Sequence, residues 1–560
     1  MLALGSLGGA KEAAADEFHS TRTSSLTERR HVGVLTLSAE RAELVVQRTV
    51  YNPSSVSDQA TFMIDLPEGA VATRLRTRGI GPGAPWFEGE LLEAEEAAKR
   101  YRELTGLGGY YPKDPALLSW RDQRLLALQV FPCPPRSEKL VEYTLTLPLS
   151  YEQGRHHLKL SALGTSELRA KIQLGAKNAR DTLSVDCKPF SIGAYLPTAG
   201  NEELDGALET QAASLDAELS SQGFAGGRVL THYAVRAATK VSTLPKQAYV
   251  VLVLDASRST FEGFEESAKA ALDAYLSHLP DAHVEVLTFD RNVRHQLNGF
   301  GNTSAALRAL QVLALGRLNG SAVDRALFEA DQMLAAAPRN APRRIVLMTD
   351  GLTRQSLTPE RLRGAIGQSG AVLHVGLVRA GDPQLARFDN HAWEPVARST
   401  GGVVWQARAP DDAKDAARLR DELYEVYEEW ARPKRIDHLS CFSQDGVIAD
   451  NLPDTLAEGE GSQDLYLAST LARSLSVAGE LWSTPIQVMA RQEPAQDARW
   501  AALVFGSALV DSLSEPEMMT LALRGRAVSP VTSYLAIEPG VRPSTEGLTE
   551  LEGSGIGLGG

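Results

Sequence analysis

The sequence is poor in cysteine. Cys133, Cys187 and Cys441 lie far apart, with no Cys-x-x-Cys pair and no cysteine–histidine spacing of the kind that builds a zinc site. An odd count cannot pair completely within one chain, so a disulfide framework is excluded; idle thiols are expected, with room for one disulfide at most. Long apolar runs are missing as well, none approaching the ~18 residues of a membrane-crossing helix. A basic surplus is absent too. The formal net charge of −13 leaves nothing to neutralise phosphates, which argues against a nucleic-acid partner. Two catalytic signatures are also lacking, the G-x-x-x-x-G-K-[ST] phosphate loop and the G-x-S-x-G nucleophile elbow. Asp181 and Asp186 form no defensible pair of acids, and no motif positions a general base, so no enzyme is expected.

What is present is a long globular chain. At 560 residues it exceeds one core and calls for three or four domains. The N-terminus, MLALGSLGGAKEAAADEF, has neither a basic n-region nor an apolar h-region, and reads as a flexible leader over 1–26. From 27 to 155 the pattern is mostly β. HVGVLTLSAERAELVVQRTVYN alternates through two strands into the turn Asn52-Pro53, and ATFMIDLP closes at Pro67-Glu68-Gly69-Ala70. A helix from Glu90 to Leu104, stopping at Gly106, interrupts before RLLALQVFPCPP and KLVEYTLTLPLSY, so a β-sandwich with a helical insert is predicted. Residues 156–245 read as a β-rich connector, in which His156 and His157 are placed at a solvent-facing hairpin. Residues 431–540 read as β-rich with a helix around Asp497–Leu513 and a last strand near Val531–Ile537. The Gly-rich end, 541–560, reads as a disordered tail that stops without a capping element, as a truncated chain would.

Between 246 and 430 the rhythm changes to alternating strand and helix. AYVVLVLD is a continuous apolar run, as a parallel strand covered on both faces requires. Helices are predicted over 265–279, 303–316, 322–337 and 359–367, between strands HVEVLTF, RIVLMTD and AVLHVGLV. This is the pattern of a doubly wound parallel sheet, which binds ligands at the carboxyl ends of its strands. Polar clusters fall at those ends: Asp255-Ala-Ser257-Arg-Ser259, then Gly320-Ser321 opening a helix, then Met348-Thr349-Asp350-Gly351. A hard divalent ion such as Mg²⁺ wants about six oxygens and gives up water reluctantly.

These three clusters, in this order, resemble the metal-ion-dependent adhesion site (MIDAS) of von Willebrand factor A-type domains. The resemblance implies Mg²⁺ (or Mn²⁺ or Ca²⁺) held by Asp255, Ser257, Ser259, Ser321 and Asp350, with an open position for a partner's Asp or Glu carboxylate. Ser321 departs from the usual threonine, keeping the oxygen and losing a methyl group. In the N-terminal region, Tyr51-Asn52-Pro53-Ser54, Leu66-Pro67-Glu68-Gly69-Ala70, Lys99-Arg100-Tyr101 and Phe131 to Pro135 resemble the vault/inter-alpha-trypsin (VIT) domain. Together with Asn451-Leu452-Pro453-Asp454, Val477-Ala478-Gly479 and Val531 to Leu535, the order is similar to inter-alpha-trypsin inhibitor heavy chains and bacterial relatives. That resemblance implies a non-catalytic, metal-dependent binding or adhesion protein, or alternatively a structural subunit of a larger cell-envelope complex with the A domain docked permanently. It also favours a periplasmic, secreted or cell-surface location, while the missing export signal leaves the cytoplasm open.

Overall fold

In the computed structural model residues 16–538 are described, except 22, 39–40, 80, 82, 105–113, 162, 166, 179–180, 198–201, 208–213, 317, 354–356, 410–415, 444–450 and 494–496. The tail read over 541–560 and the helix stop at Gly106 lie outside the described residues.

Period-two patterning builds the N-terminal third. In strand Asp58–Asp65 every second residue is buried, which turns Ala60, Phe62 and Ile64 to one side. Burying a side chain the size of Phe62 contributes about 1.5–3 kcal/mol. Eleven strands join into one sheet, from Glu17–Ser20 at one edge to Lys171–Ala176 at the other. Leu44, Val46 and Leu145 of one half share a core with Phe62, Leu128 and Val130 of the other. The predicted sandwich is therefore a single sheet curled over its own core, with Trp86–Glu93 pairing into both halves. The Asn52 turn is locked by its buried amide, which donates to the carbonyls of Val56 and Cys133 at 2.8 and 2.7 Å.

Long-range pairing corrects two expectations here. Strand Thr532–Glu538, from the far end of the chain, lies between Trp86–Glu93 and Asp114–Asp122. Its ladder holds Glu90 opposite Leu535 and Glu93 opposite Thr532, so the helix begins only at Ala94 and runs to Leu104. The leader is also shorter than 1–26. Glu17–Ser20 pairs with Asp58–Asp65, Phe18 stacks on Phe62 at 4.7 Å, and the Asp58 carboxylate accepts from the Ser20 and Thr23 hydroxyls, both at 2.5 Å.

The segments read as connector and as C-terminal region build one sheet together: Gly461–Ala468 pairs with Val229–Ala237, that with Leu215–Gly223, and that with Arg491–Gln492. The hairpin at His156–His157 exists, but His156 is not solvent-facing. Strand alternation turns it inward, leaving it 4% exposed. All three cysteines are free, with Cys133 buried, Cys187 exposed and Cys441 between.

Residues Tyr249–Asp255, His283–Phe289, Arg343–Thr349, Val372–Ala380 and Val404–Ala409 form a parallel sheet, with short antiparallel strands at its edges. In Tyr249–Asp255, Val250, Leu252 and Leu254 pack towards Leu272, Tyr275 and Trp430, while Val251 and Val253 pack towards Leu327, Leu334 and Val396. Both faces are covered, which is why the run is apolar throughout. Three helices match their predicted ends within two residues: Phe264–Ser277, Val323–Ala335 and Pro359–Ala365. The fourth stops early, at Val312. There Lys269 donates to the Leu313 carbonyl and Glu265 accepts the Leu315 amide at 2.9 Å, capturing the chain that would have continued the helix.

Candidate metal centre

Strand Tyr249–Asp255 lies between His283–Phe289 and Arg343–Thr349, and the chain leaves it first to one side and later to the other. That reversal opens a crevice at the strands' carboxyl ends. Asp255 ends the first strand and Asp350 follows the neighbouring one directly.

Asp255 is fully buried. One carboxylate oxygen accepts the Ser257 amide at 2.9 Å and the other accepts the Thr349 hydroxyl at 2.7 Å. Burial raises its pKa, against the lowering pull of Ser257 and Thr349; the negative charge of Asp350 pushes it further up. The Ser257 and Ser259 hydroxyls lie 2.9 Å apart, Ser257 buried and Ser259 exposed. Thus Asp255, Ser257 and Ser259 form one hydrogen-bonded group, and Asp350 stands within electrostatic reach of it.

The backbone is anchored on both sides of Ser321. Leu318 donates to the Ala256 carbonyl at 3.1 Å, and its own carbonyl accepts from Arg258 at 3.0 Å. The Ala322 amide then donates to the Asp290 carbonyl at 2.8 Å. Gly320 permits the turn between these anchors. Its φ is +121°, and a Cβ there would sit 2.9 Å from the Arg291 backbone nitrogen. Sequence reasoning assigned no role to Thr349, whose hydroxyl orients Asp255; its place directly before Asp350, at the end of an apolar strand, was the available signal.

The donor set fits a hard cation. One oxygen of Asp350 accepts the Leu352 amide at 2.8 Å, while its Oδ2 is buried and meets no donor among the described residues. An orphaned carboxylate oxygen beside a second buried carboxylate is costly, and a cation relieves both costs. Among the described residues no three His, Cys, Asp or Glu side chains gather to hold an ion. The set here has two carboxylates, with hydroxyls making up the rest, which suits Mg²⁺ better than a softer metal.

With this geometry in hand, comparison with known proteins gives the class. The von Willebrand factor type A domain family matches residues 250–352, so the chain contains an A-type domain, a non-catalytic module for protein interaction. No curated protein matches the chain. Among solved structures, BatB from Bacteroides thetaiotaomicron is 16% identical over 32% of this chain and 99% of its own, with a TM-score of 0.24. Proximal thread matrix protein 1 of the mussel byssus, in a form with a zinc-occupied MIDAS motif, is 18% identical over 33% and 46%, with a TM-score of 0.25. The ArnB paralog VWA2 from Sulfolobus acidocaldarius is 13% identical over 56% and 91%, also at 0.25.

Proposed function

We propose that this protein is a non-catalytic interaction protein whose A domain is a fixed docking head for a larger assembly. The observation that carries this reading is how the domain is clamped. The Arg387 side chain, 7% exposed, reaches Asp437 at 3.2 Å, Glu480 at 3.1 Å and the Trp482 carbonyl at 2.6 Å, all in the C-terminal β region. Arg398 adds Glu480 at 2.6 Å, and the Trp482 indole donates to the Glu429 carbonyl at 2.9 Å. One side of the domain is thereby fixed to the β-rich body. The carboxyl end of its sheet stays open, with Arg258, Ser259, Leu318 and Leu352 exposed. A rigidly mounted head with an open rim suits lasting engagement of one partner. The VIT-like reading of the N-terminal sheet belongs to the same proposal, as the body that carries the head.

A second, finer reading is favoured by the orphaned Asp350 oxygen beside Asp255. In it Asp255, Ser257, Ser259, Ser321 and Asp350 hold Mg²⁺. The ion, when bound, supplies an electrophilic position that accepts a partner's Asp or Glu carboxylate. The chain's own residues fix the approach: Thr349 orients Asp255, and the Gly320 turn delivers Ser321. Co-purification from the native cells separates the two readings. A complex that survives EDTA and the Asp255→Ala change supports permanent docking; loss under both supports carboxylate capture. A protein that emerges alone under every condition contradicts both.

A further inference from the structure

The loop that carries Ser321 also carries a reactive pair of residues. Asparagine followed by glycine is the pairing in which a main-chain nitrogen meets least obstruction on its way to the preceding carboxamide, because glycine has no Cβ. The chain has two such pairs, Asn298-Gly299 and Asn319-Gly320. Both asparagines are exposed, so access to the side chain does not separate them. The glycine amide does.

At the first pair that amide is engaged. Gly299 donates to Oε2 of Glu285 at 2.6 Å, while Oε1 of the same carboxylate accepts the Leu297 amide at 3.0 Å and the Val286 amide at 2.7 Å. Glu285 is fully buried. Using the Gly299 nitrogen in a reaction strips a buried carboxylate of a charge-assisted bond, which costs more than losing a bond between neutral groups. Asn298 is also held at φ +54° between its two pinned neighbours. The second pair has no such restraint. Gly320 is exposed, and its amide meets no acceptor among the described residues. Water alone serves it.

We propose that Asn319-Gly320 is a self-modification site, at which asparagine turns into isoaspartate and displaces Ser321 from the crevice. The Gly320 nitrogen loses its proton to solvent base and attacks Cγ of Asn319. The new C–N bond closes a five-membered cyclic imide, the bond from Cγ to the side-chain nitrogen breaks, and ammonia leaves. Water then adds to either imide carbonyl. Opening at the side-chain carbonyl gives aspartate. Opening at the main-chain carbonyl gives isoaspartate, whose backbone runs through Cβ and Cγ. Water enters, ammonia departs, and nothing is oxidised or reduced.

The fold sets the consequence. Leu318 is tied to Ala256 and Arg258, and Ala322 to Asp290. Isoaspartate adds a carbon to the backbone between these anchors, and the Arg291 backbone leaves no room beside Gly320 to absorb it. Ser321, between the same anchors, has to move. This consequence rests on the Mg²⁺ reading of the crevice; the chemistry at Asn319 does not.

The test is peptide mapping by mass spectrometry of the full chain aged for weeks in mildly alkaline buffer, with fragmentation that tells isoaspartate from aspartate. We expect Asn319 to convert at least tenfold faster than Asn298, with isoaspartate the larger product. The two rates should converge in urea, where the fold no longer distinguishes them. Titration of the aged protein with Mn²⁺ should show binding lost in step with conversion, and kept in aged Asn319→Gln. Fresh protein that takes up no Mn²⁺ defeats the metal reading, while the two conversion rates still decide this one. Asn319 intact after ageing, Asn298 converting as fast in the folded protein, a difference that persists in urea, or converted protein that keeps its Mn²⁺ binding would overturn the proposal.

Discussion

Removing the charge of Asp350 should make the metal-free protein more stable while destroying its response to Mg²⁺. Among the described residues the buried Oδ2 of Asp350 meets no donor, and its charge repels that of Asp255. A buried acceptor with no donor costs about 1–3 kcal/mol, and more when charged. Asp350→Asn removes the charge and its repulsion on Asp255, so part of that cost returns as stability. For a domain of this size 1 kcal/mol is about 2–4 °C in Tm, so the variant should melt about 2–10 °C above the wild type in EDTA. In Mg²⁺ the order should reverse or close. At a hundred times the dissociation constant, binding stabilises the wild type by about 2.7 kcal/mol and leaves the variant where it was. Differential scanning calorimetry in EDTA and in excess Mg²⁺ reads both effects. A variant less stable than wild type in EDTA, or one that keeps its Mg²⁺ shift, would refute the reasoning and make Asp350 an ordinary structural carboxylate.

Three further outcomes follow from other parts of the fold. Gly320→Ala should cost more than about 1 kcal/mol, because φ is +121° and the new methyl meets Arg291; Mn²⁺ affinity, read by calorimetry, should drop with it. His374 is buried and neutral, its pKa pressed to about 3 by burial and then by Arg344, while Nδ1 accepts from the Val403 amide and the Trp405 indole. The unfolded chain takes up a proton below about pH 6.5 that the folded chain refuses. Stability should therefore be full above that pH and fall by about 1.4 kcal/mol per unit towards pH 3. Denaturation midpoints against pH should show a shallower fall in His374→Gln. Arg387→Ala takes one of two cations from each of Asp437 and Glu480, which keep Arg435 and Arg398, and should cost about 1–3 kcal/mol. Calorimetry should then show the A domain melting apart from the β-rich body.

The legibility of the sequence varied with the range of the forces involved. The A domain was readable because its central strands are largely apolar and its helices carry their own period; strand ends then located Asp255 and Asp350 without reference to distant residues. Local pattern failed where a remote partner decided the outcome. Glu90–Glu93 has helical spacing, yet Thr532–Ala536 holds it extended. His156 looked like a turn residue, yet the pleat faces it inward onto Arg236 and Arg499. The joining of Leu215–Gly223 and Val229–Ala237 to Gly461–Ala468 carries no signal in either stretch alone. Within the candidate site, the five proposed ligands could be named from residue type and order, whereas the part of Thr349 depends on the neighbouring strand's register against Asp255.

The finer reading proposed for the crevice at Asp255 and Asp350 is that it holds a divalent cation, and its most direct measurement is calorimetric titration of the full chain with Mg²⁺ and Mn²⁺, beside Asp350→Ala. The account predicts one saturable site in the wild type and none in the variant. Equal binding in both proteins, or heat that never saturates in either, would contradict it.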